Sequence, residues 1–195
     1  MITATDNIFP SKEYQKKFLD HIDNITLDEK NREAFLEQAK ITHEQRYSEK
    51  DRRSKIMWIN DKQVRYDVCD WVYQQNSLKM GLDLYPFQCE IQYAEYHADE
   101  EGHFEWHRDQ NPFLTFGEQQ DGTAYRKLSA TMHLNDYGVD YEGGKFEFRE
   151  IEIDDQYYKR GSFILFPSAL EHRVPPVTKG VRRSLVFFFH GPRFR

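Results

Sequence analysis

The second half of the chain alternates apolar and polar residues in short runs. Successive side chains of a β-strand point to opposite faces, so this alternation is typical of strands with one buried face. Asp-Gly and Gly-Gly pairs, single glycines and a Pro-Pro pair separate the runs, as turn residues do between strands. We therefore predict six strands after Pro86, over residues 87–96, 103–109, 127–135, 144–150, 161–167 and 182–190.

The first 85 residues show a helical period instead. Apolar residues recur there every three or four positions, which places them on one face of a helix. Three stretches fit this pattern, the first directly after a proline and the second highly charged. They are residues 11–23 with Tyr14, Phe18 and Ile22, residues 28–47 with Phe35 and Leu36, and residues 62–82 with Val64, Val68, Trp71, Val72 and Leu78.

Helices followed by many short strands predict an α+β fold with a sandwich or jelly-roll core. The length of 195 residues fits one domain, and no stretch has the composition of a long linker. We expect a single domain over residues 1–195, with a mainly helical part at 1–85 and a strand-rich core at 86–195. The 15 phenylalanines and 12 tyrosines supply large side chains that pack well on a pleated surface.

The two cysteines, Cys69 and Cys89, form no close pair in the sequence. A disulfide framework or a zinc motif is therefore not indicated, which favours a reducing compartment. The N-terminal residues lack the apolar segment of a secretory signal, and no apolar run is long enough to cross a membrane. We expect a cytoplasmic protein that has no membrane partner.

The net charge of −6 is unevenly distributed along the chain. From residue 156 onward, lysines and arginines far outnumber the one acidic residue, Glu171. A cationic region of this kind could serve a nucleic acid, or a pocket for an anionic small molecule. The acidic sign of the whole chain weighs against non-specific binding of nucleic acid, and we expect none.

Residues 103–110, HFEWHRDQ, concentrate groups that bind metals or protons. On a regular strand the histidines and acidic residues would share one face, and the aromatic residues would share the other. Such a polar face is a metal site, a site of proton transfer or a solvated surface. Two pairs compete as metal ligands, and their spacing alone excludes neither. They are His103 with Glu105, and His107 with Asp109.

The pair His107 and Asp109 could complete a metal site with a histidine from far along the chain. Two imidazoles and one carboxylate form a facial triad, which leaves coordination positions open for substrate and oxygen at Fe(II). His172, just after a predicted strand, is the candidate for the third ligand. Ten residues further lies Arg182, with Ser184 on the same strand face. A buried guanidinium there suits a dicarboxylate, because it can hold a carboxylate with two hydrogen bonds.

Seven segments carry a resemblance to a known family. In chain order they are DRRSKIMWIN, IQYAEY, WHRD, RKLSATMHLND, EGGKFEF, GSFILFPSALEHRV and PVTKGVRRSLVFF. Together they resemble the 2-oxoglutarate/Fe(II) dioxygenases of the prolyl 4-hydroxylase type, over about residues 53–192. An HxD motif alone is a weak signal. With a distal histidine, an arginine ten residues beyond it and a Gly-Gly turn between, it forms a specific set.

The resemblance implies a double-stranded β-helix, also called a jelly roll, with the N-terminal helices packed on it. It also implies that His107, Asp109 and His172 are the iron ligands and form the catalytic centre. It favours these residues over the competing pair because Trp106 stands directly before the first ligand, as in WHRD. His103 and Glu105 would then lie at the rim of the site or face the substrate.

The resemblance further implies a binding site for 2-oxoglutarate. It assigns Arg182, helped by Ser184, to the C5 carboxylate of this cosubstrate. Tyr96 matches a tyrosine that ends the strand before the HxD motif and often forms a hydrogen bond with the cosubstrate. His133 stands where animal prolyl hydroxylases tend to carry a tyrosine near that carboxylate, so we expect it to contribute to cosubstrate binding.

The implied activity is hydroxylation of an aliphatic C–H bond, with prolyl 4-hydroxylation of a peptide or protein as the expected reaction. Fe(II), 2-oxoglutarate and O₂ would be required, with ascorbate as reductant, and succinate and CO₂ would be released. The alternatives are hydroxylation of a free amino acid or another small metabolite, nucleic-acid dealkylation, and metal binding without catalysis. Phe188 stands where dealkylases carry a second arginine, which weighs against that class. We expect the loops at 97–102, 110–125 and 136–143 to determine specificity.

Overall fold

The computed structural model describes residues 1–39, 50–110 and 125–192, and its first part holds three helices and four short strands. Ser11, Asp28 and Asp61 precede the helices, and each accepts a hydrogen bond from an amide of the first turn, as N-cap residues do. In chain order the elements are β1 (Thr3–Thr5), α1 (Lys12–Thr26), α2 (Glu29–Phe35), β2 (Glu37–Gln38), β3 (Arg52–Arg53), β4 (Lys55–Trp58) and α3 (Lys62–Gln75), which a π-helical turn extends over Asn76–Met80.

Eight strands follow, and each of the six predicted strand segments overlaps one of them, although β5, β7 and β12 extend beyond the predicted bounds. The alternation missed β8 and β11, because three residues are too few to show a period. The eight strands are β5 (Cys89–His97), β6 (His103–His107), β7 (Tyr125–His133), β8 (Tyr141–Gly143), β9 (Glu147–Phe148), β10 (Phe163–Pro167), β11 (His172–Val174) and β12 (Val177–Gly191).

The strands form two antiparallel sheets. The larger sheet has the order β1-β10-β7-β12-β5-β4-β2, with β8 paired to β12 beside this path. The smaller sheet has the order β3-β6-β11-β9. The longest strand, β12, pairs with both β5 and β7 and so holds the centre of the larger sheet. Two antiparallel sheets with few helices agree with the predicted jelly-roll core.

The two faces of the larger sheet pack against different partners. Its inner face meets the smaller sheet in one apolar cluster, which includes Ala94, Tyr96, Ile164 and Phe166 from the larger sheet and Phe148 and Val174 from the smaller one. Its outer face belongs to a second cluster, which includes Leu185, Phe187 and Phe189 of β12 with Phe18 and Ile22 of α1 and Val64, Val68 and Val72 of α3. Alternation along β12 thus directs these three residues to the outer face and the residues between them to the inner face.

The helical predictions are confirmed for 11–23 and 62–82 but only in part for 28–47. There the helix α2 ends at Phe35 and β2 follows, while residues 40–47 lie outside the described residues. Phe35 is 62% exposed and Leu78 is 77% exposed, so neither is the core residue that the pattern predicted. Among the described residues no helix combines the length and apolar character needed to cross a membrane.

A buried carboxylate ties α2 to the larger sheet. Glu95 of β5 is almost fully buried and accepts two hydrogen bonds from the Arg32 guanidinium, at 2.9 and 3.0 Å. Tyr93 and His97 also bond to it, at 2.9 and 2.7 Å. Burial would raise the pKa of Glu95, but the hydrogen bonds from Arg32, His97 and Tyr93 outweigh burial and lower it to about 2. The Glu95 carboxylate therefore stays ionised at pH 7, and the Arg32 guanidinium compensates for the cost of burying its charge.

Replacing Arg32 with alanine should lower the free energy of unfolding by about 3 kcal/mol, because the change leaves a charged carboxylate buried without its cation. The native pKa of Glu95 lies below its ordinary value of 4.5, so the pairing stabilises the fold above about pH 4.5 and is lost as the pH falls toward 2. Chemical denaturation of both proteins at pH 7 and at pH 3 measures this. The difference in unfolding free energy between the parent and Arg32→Ala should be smaller at pH 3 than at pH 7.

Lys17→Ala is the matched control, since it breaks an ion pair with Glu13 in which both side chains are exposed. Exposed pairs contribute little to stability, so this variant should unfold almost as the parent does. Equal losses in the Arg32 and Lys17 variants would contradict a special role for the buried pair.

Candidate active site

A β-bulge in β6 turns His107 to the inner face. Val174 of β11 pairs with Phe104, yet His172, two residues earlier, pairs with His107, three residues later. The extra residue in β6 marks a bulge, which reverses the direction of the side chains that follow. The rings of Phe104 and His107 stack on the same side, with centroids 3.4 Å apart. The prediction that the histidines and acidic residues of this segment share one face is therefore wrong.

The competing pair of ligands is not arranged for a metal. The ring nitrogens of His103 face the backbone carbonyl oxygens of Glu101 and Lys50, at 2.8 and 3.2 Å. Glu105 is exposed. The carbonyl contacts account for His103 as a buried structural residue, and the pair does not converge on a common point.

His107, Asp109 and His172 do converge. The Nε2 atom of His107 lies 3.7 Å from Oδ1 of Asp109, and Nε2 of His172 lies 3.5 Å from Oδ2. One ligand atom from each residue lies within 4.8 Å of the other two. In the part of the chain that the structure describes, this is the one group of three such residues that could hold a metal ion. Asp109 follows the end of β6, and His172 opens β11.

Backbone carbonyls orient both imidazoles of the group. Nδ1 of His107 lies 2.7 Å from the carbonyl oxygen of Glu105, and Nδ1 of His172 lies 2.9 Å from that of Leu170. A carbonyl only accepts hydrogen bonds, so each Nδ1 carries the proton and each Nε2 keeps its lone pair. Hydrogen bonds of this kind fix the ring and the tautomer of metal-binding histidines.

The ionisation states suit metal binding as well. Burial, and then the nearby His172, lower the pKa of His107 to about 3, so this imidazole is neutral at pH 7. Burial would raise the pKa of Asp109, but the neighbouring His172 and His107 outweigh it and lower that pKa below its ordinary value. A neutral imidazole and an ionised carboxylate are the forms that coordinate metals.

Arg182 carries a buried charge on the inner face of β12. It is 1% exposed, and among the described residues no carboxylate pairs with it. One terminal nitrogen donates to the Ser184 hydroxyl at 3.1 Å, while Nε has no hydrogen-bond partner in the part of the chain that the structure describes. The Tyr96 ring lies under the guanidinium, 5.3 Å from centroid to carbon. Arg183, next in the chain, pairs with Glu95 in the strand register and points to the outer face, as predicted for alternate residues.

The Gly-Gly pair before β9 lets the chain pass beside Arg182. Gly143 and Gly144 have φ angles of +69° and +58°, a region that glycine enters without strain. A Cβ on Gly144 would lie 2.5 Å from Cγ2 of Val177 and 3.4 Å from Cδ of Arg182. The turn thus needs glycine where it borders the arginine stem.

His133 lies beside Ser184 on β7 and is fully buried. Neither of its ring nitrogens has a hydrogen-bond partner among the described residues. Burial, and then the charge of Arg182, lower its pKa to about 3, so the ring is neutral at pH 7. A neutral imidazole offers one donor and one acceptor, and here both are available to a ligand.

The inner face of β7 connects the two groups of residues. Ser129 lies close to Asp109, where its hydroxyl helps to lower the pKa of the carboxyl, and His133 lies near Arg182. These two positions are separated by four residues of strand, or roughly 13 Å. Between them the buried Thr131 hydroxyl has no described partner. The metal group and the buried arginine therefore lie near different positions along the same inner face of β7.

Two further arginines flank the metal group, and the sequence did not single them out. Arg52 is buried, lies over the Phe104 ring at 4.5 Å and bonds to the neutral side chains of Ser54 and Gln92, at 2.8 and 3.0 Å. Its charge is close enough to His107 to disfavour protonation of that ring. The signal available was alternation in DRRSKIMWIN, which directs Arg52 and Ser54 to the same face.

Arg126 is the second of these arginines. It lies over the Phe188 ring at 3.7 Å, donates to Glu90 at 2.8 Å and is close enough to Asp109 to stabilise its charge. Trp58, which is 48% exposed, lies 6.5 Å from the Phe188 ring. Trp58 and Arg126 therefore give the surface next to the metal group aromatic area and hydrogen-bond donors, while Phe188 is buried beneath Arg126.

The sequence matches one family model over residues 91–190, that of the 2OG-Fe(II) oxygenase superfamily. A segment of 78 residues is 38% identical to a PKHD-type hydroxylase of Synechococcus sp. (strain CC9902), covering 40% of this chain and 31% of that relative. A segment of 70 residues is 40% identical to a PKHD-type hydroxylase of Shewanella oneidensis, covering 33% and 29%. The matching segments thus span less than a third of the length of these relatives.

Solved structures resemble the chain over nearly its whole length. A prolyl-4-hydroxylase of Pseudomonas putida aligns with a TM-score of 0.69 and 20% identity, over 98% of this chain and 92% of that one. A Trichoplax adhaerens prolyl hydroxylase, in complex with a peptide fragment of the hypoxia inducible factor oxygen degradation domain, aligns with a TM-score of 0.70 and 16% identity, over 97% and 83%. At these identities the likeness establishes the fold.

The region that matches the family model covers just over half of the chain and contains the three converging ligands and Arg182. The same region forms most of the two facing sheets, which the solved prolyl hydroxylases share as a fold. The chain belongs to the 2OG-Fe(II) oxygenase superfamily.

Proposed function

We propose that the chain is an Fe(II)- and 2-oxoglutarate-dependent dioxygenase that hydroxylates an aliphatic C–H bond, namely that of a prolyl residue in a peptide or protein. One observation carries the proposal. A buried arginine without a described carboxylate partner lies on the inner face of the larger sheet, and three converging metal ligands lie on or next to β6 and β11 of the facing smaller sheet. A charge buried in this way is costly unless a ligand neutralises it, and a dicarboxylate that also reaches the metal does so.

The donor set fits Fe(II). Two Nε2 atoms and one carboxylate oxygen come from one side, which is the facial triad of non-haem iron oxygenases. In our proposal His107, Asp109 and His172 hold the metal. Bound Fe(II), with 2-oxoglutarate and O₂, supplies the oxidising power for C–H hydroxylation and releases succinate and CO₂. The chain's own contribution is to hold the ligands, the cosubstrate and the substrate in register.

The inner-face residues around Arg182 form the proposed cosubstrate site. Arg182 would hold the distal carboxylate of 2-oxoglutarate, Ser184 would orient the guanidinium, and Tyr96 would support it from below. His133 would add a neutral donor from the neighbouring strand. Because Arg182, Ser184 and His133 are all buried, these hydrogen bonds would be made away from bulk water, which strengthens them.

The proposed peptide site is the aromatic and cationic surface beside the metal group. Arg126 offers donors to backbone carbonyls of a peptide, and Trp58, which is 48% exposed, offers aromatic area on which a proline ring can pack. The fold likeness to two prolyl hydroxylases, one of them in complex with a peptide, supports this substrate class. Most of the loop at 110–125, which we expected to influence specificity, lies outside the described residues.

We propose further that residues 1–195 form a single domain, a double-stranded β-helix with the N-terminal helices packed on the outer face of the larger sheet. The apolar cluster that α1 and α3 share with that face supports this assignment. Cys69 and Cys89 are free thiols, which supports a reducing compartment such as the cytoplasm. Ascorbate, as a reductant for iron, remains part of the proposal.

Alanine at any one of the three ligands should sharply weaken Fe(II) or Mn(II) binding and abolish turnover, because each supplies one of three metal bonds. His103→Ala is the control: it should keep the metal, although it should lose some stability through its carbonyl contacts. Calorimetric titration with Mn(II) measures the affinities. Loss of the metal in the His103 variant with retention in His107→Ala would overturn the choice of ligands.

Arg182→Ala should raise the 2-oxoglutarate requirement strongly, because cutting a buried charge-assisted contact costs about 2–5 kcal/mol. This corresponds to roughly 30- to several-thousand-fold, at about 1.4 kcal/mol per factor of ten. Arg182→Lys should recover part of the loss, since it keeps the charge but not the planar fork. The 2-oxoglutarate dependence of succinate formation measures each variant.

Arg183→Ala is the matched control, with the same charge removed from the opposite face of the strand. It should leave the cosubstrate requirement nearly unchanged, apart from a loss of stability. If the Arg183 variant were the impaired one, the assignment of Arg182 to the cosubstrate would fail.

Purified protein with Fe(II), 2-oxoglutarate and ascorbate should add one oxygen atom to a proline-containing peptide and form one succinate per hydroxylation. Mass spectrometry of peptides, free amino acids and alkylated oligonucleotides, each tested separately, distinguishes the substrate classes. His107→Ala is the inactive control. Oxidation of free amino acids without oxidation of any peptide would contradict the peptide proposal while leaving the dioxygenase proposal intact.

A further inference from the structure

Several buried polar atoms at and near Arg182 have no hydrogen-bond partner among the described residues, and one of them is the hydroxyl of Tyr141. The Nε atom of Arg182, both ring nitrogens of His133 and the hydroxyl of Tyr141 form no hydrogen bond within the described residues. Each such atom, once removed from water, costs free energy unless a ligand or an ordered water meets it. Their grouping around one guanidinium indicates a shared ligand.

Tyr141 reaches this region from the short strand β8. That strand pairs with β12, with Tyr141 opposite Gly180, two residues before Arg182. The Tyr141 side chain is 1% exposed and belongs to the inner apolar cluster. Burial raises the pKa of its hydroxyl, an effect that Arg182 opposes through its charge and through a long hydrogen-bond contact from the guanidinium to the phenol oxygen. That contact uses the oxygen as an acceptor and leaves the phenol proton to be donated. The raised pKa keeps the phenol protonated at pH 7, so it is a hydrogen-bond donor.

The neighbouring Tyr158 differs from Tyr141, because its hydroxyl has a hydrogen-bond partner. The Tyr158 hydroxyl, also near Arg182, donates to the backbone carbonyl of Phe146 at 2.7 Å and is satisfied. Tyr137 packs edge-on against Tyr141, with ring centroids 5.6 Å apart. A phenylalanine at 141 would keep the same packing and avoid an unsatisfied hydroxyl. Packing alone therefore does not account for the Tyr141 hydroxyl.

We propose that the Tyr141 hydroxyl donates a hydrogen bond to the distal carboxylate of 2-oxoglutarate, beside Arg182 and His133. This inference rests on the proposed function and adds a residue that determines which 2-oxo acid the pocket accepts. A carboxylate has about four lone-pair positions, enough for the guanidinium, one imidazole N–H and one phenol. A 2-oxo acid without the second carboxylate would leave all three donors unsatisfied.

Tyr141→Phe tests the inference, because it removes one oxygen atom and keeps the ring. The KM for 2-oxoglutarate, measured by succinate formation, should rise about 10-fold or more, as expected for one hydrogen bond to a charged group. The kcat at saturating cosubstrate should change little. Calorimetric binding of 2-oxoglutarate to the Mn(II)-loaded protein should weaken by a similar factor, which gives a readout that does not depend on turnover.

Tyr137→Phe is the matched control, a hydroxyl removed from the adjoining ring. It should leave both the KM and the calorimetric affinity unchanged. Thermal denaturation of the two variants without ligand shows whether either is misfolded. A Tyr141 variant that loses stability but binds 2-oxoglutarate as the parent does would overturn the inference and leave Tyr141 as a packing residue.

A cosubstrate analogue locates the contact on the ligand. In calorimetry 2-oxovalerate, which has the same chain length as 2-oxoglutarate but no distal carboxylate, should bind the parent and Tyr141→Phe equally weakly. An equal loss of affinity for both acids in the variant would place the hydroxyl elsewhere and contradict the inference. If the parent protein neither binds nor consumes 2-oxoglutarate, the proposed function itself fails, which is a different outcome from an unaffected Tyr141 variant.

Discussion

The buried guanidinium of Arg182 constrains most of what surrounds it. Removing a charge from water costs several kcal/mol, and in the described residues no carboxylate offsets that cost. Ser184 supplies one acceptor and the Tyr96 ring a favourable face, but within the described residues Nε of Arg182 and the ring nitrogens of His133 have no hydrogen-bond partner. A bound anion would stabilise such a site, so electrostatics supports the 2-oxoglutarate proposal in addition to family membership.

The strand β12 joins this site to the core. One set of alternate residues, Leu185, Phe187 and Phe189, packs with the helices, and the other set begins with Arg182 and Ser184. The apolar set fixes the strand register, because a shift by one residue would exchange the two faces. The hydrophobic core therefore determines which of two adjacent arginines points to the inner face, and the proposed cosubstrate site depends on the same register as the packing of the core.

Much of the fold was predictable from sequence, because strands and helices each repeat their apolar residues at a fixed spacing. Alternation located six strand segments and the directions of Arg182 and Arg183, and helical spacing located α1 and α3. The bulge at His107 could not be predicted, since it depends on pairing with β11, a strand too short to show alternation. The exposure of Phe35 and the lack of a described partner for the Tyr141 hydroxyl also depend on tertiary packing, which no local sequence pattern shows.

The central claim is that one small molecule connects the metal ligands to Arg182. A crystal structure of the protein with Mn(II) and 2-oxoglutarate, grown without oxygen, tests it most directly. The account predicts the metal between His107, Asp109 and His172, the keto acid on the metal, and the distal carboxylate on Arg182. A metal at another group, or 2-oxoglutarate bound with its distal carboxylate away from Arg182, would contradict it.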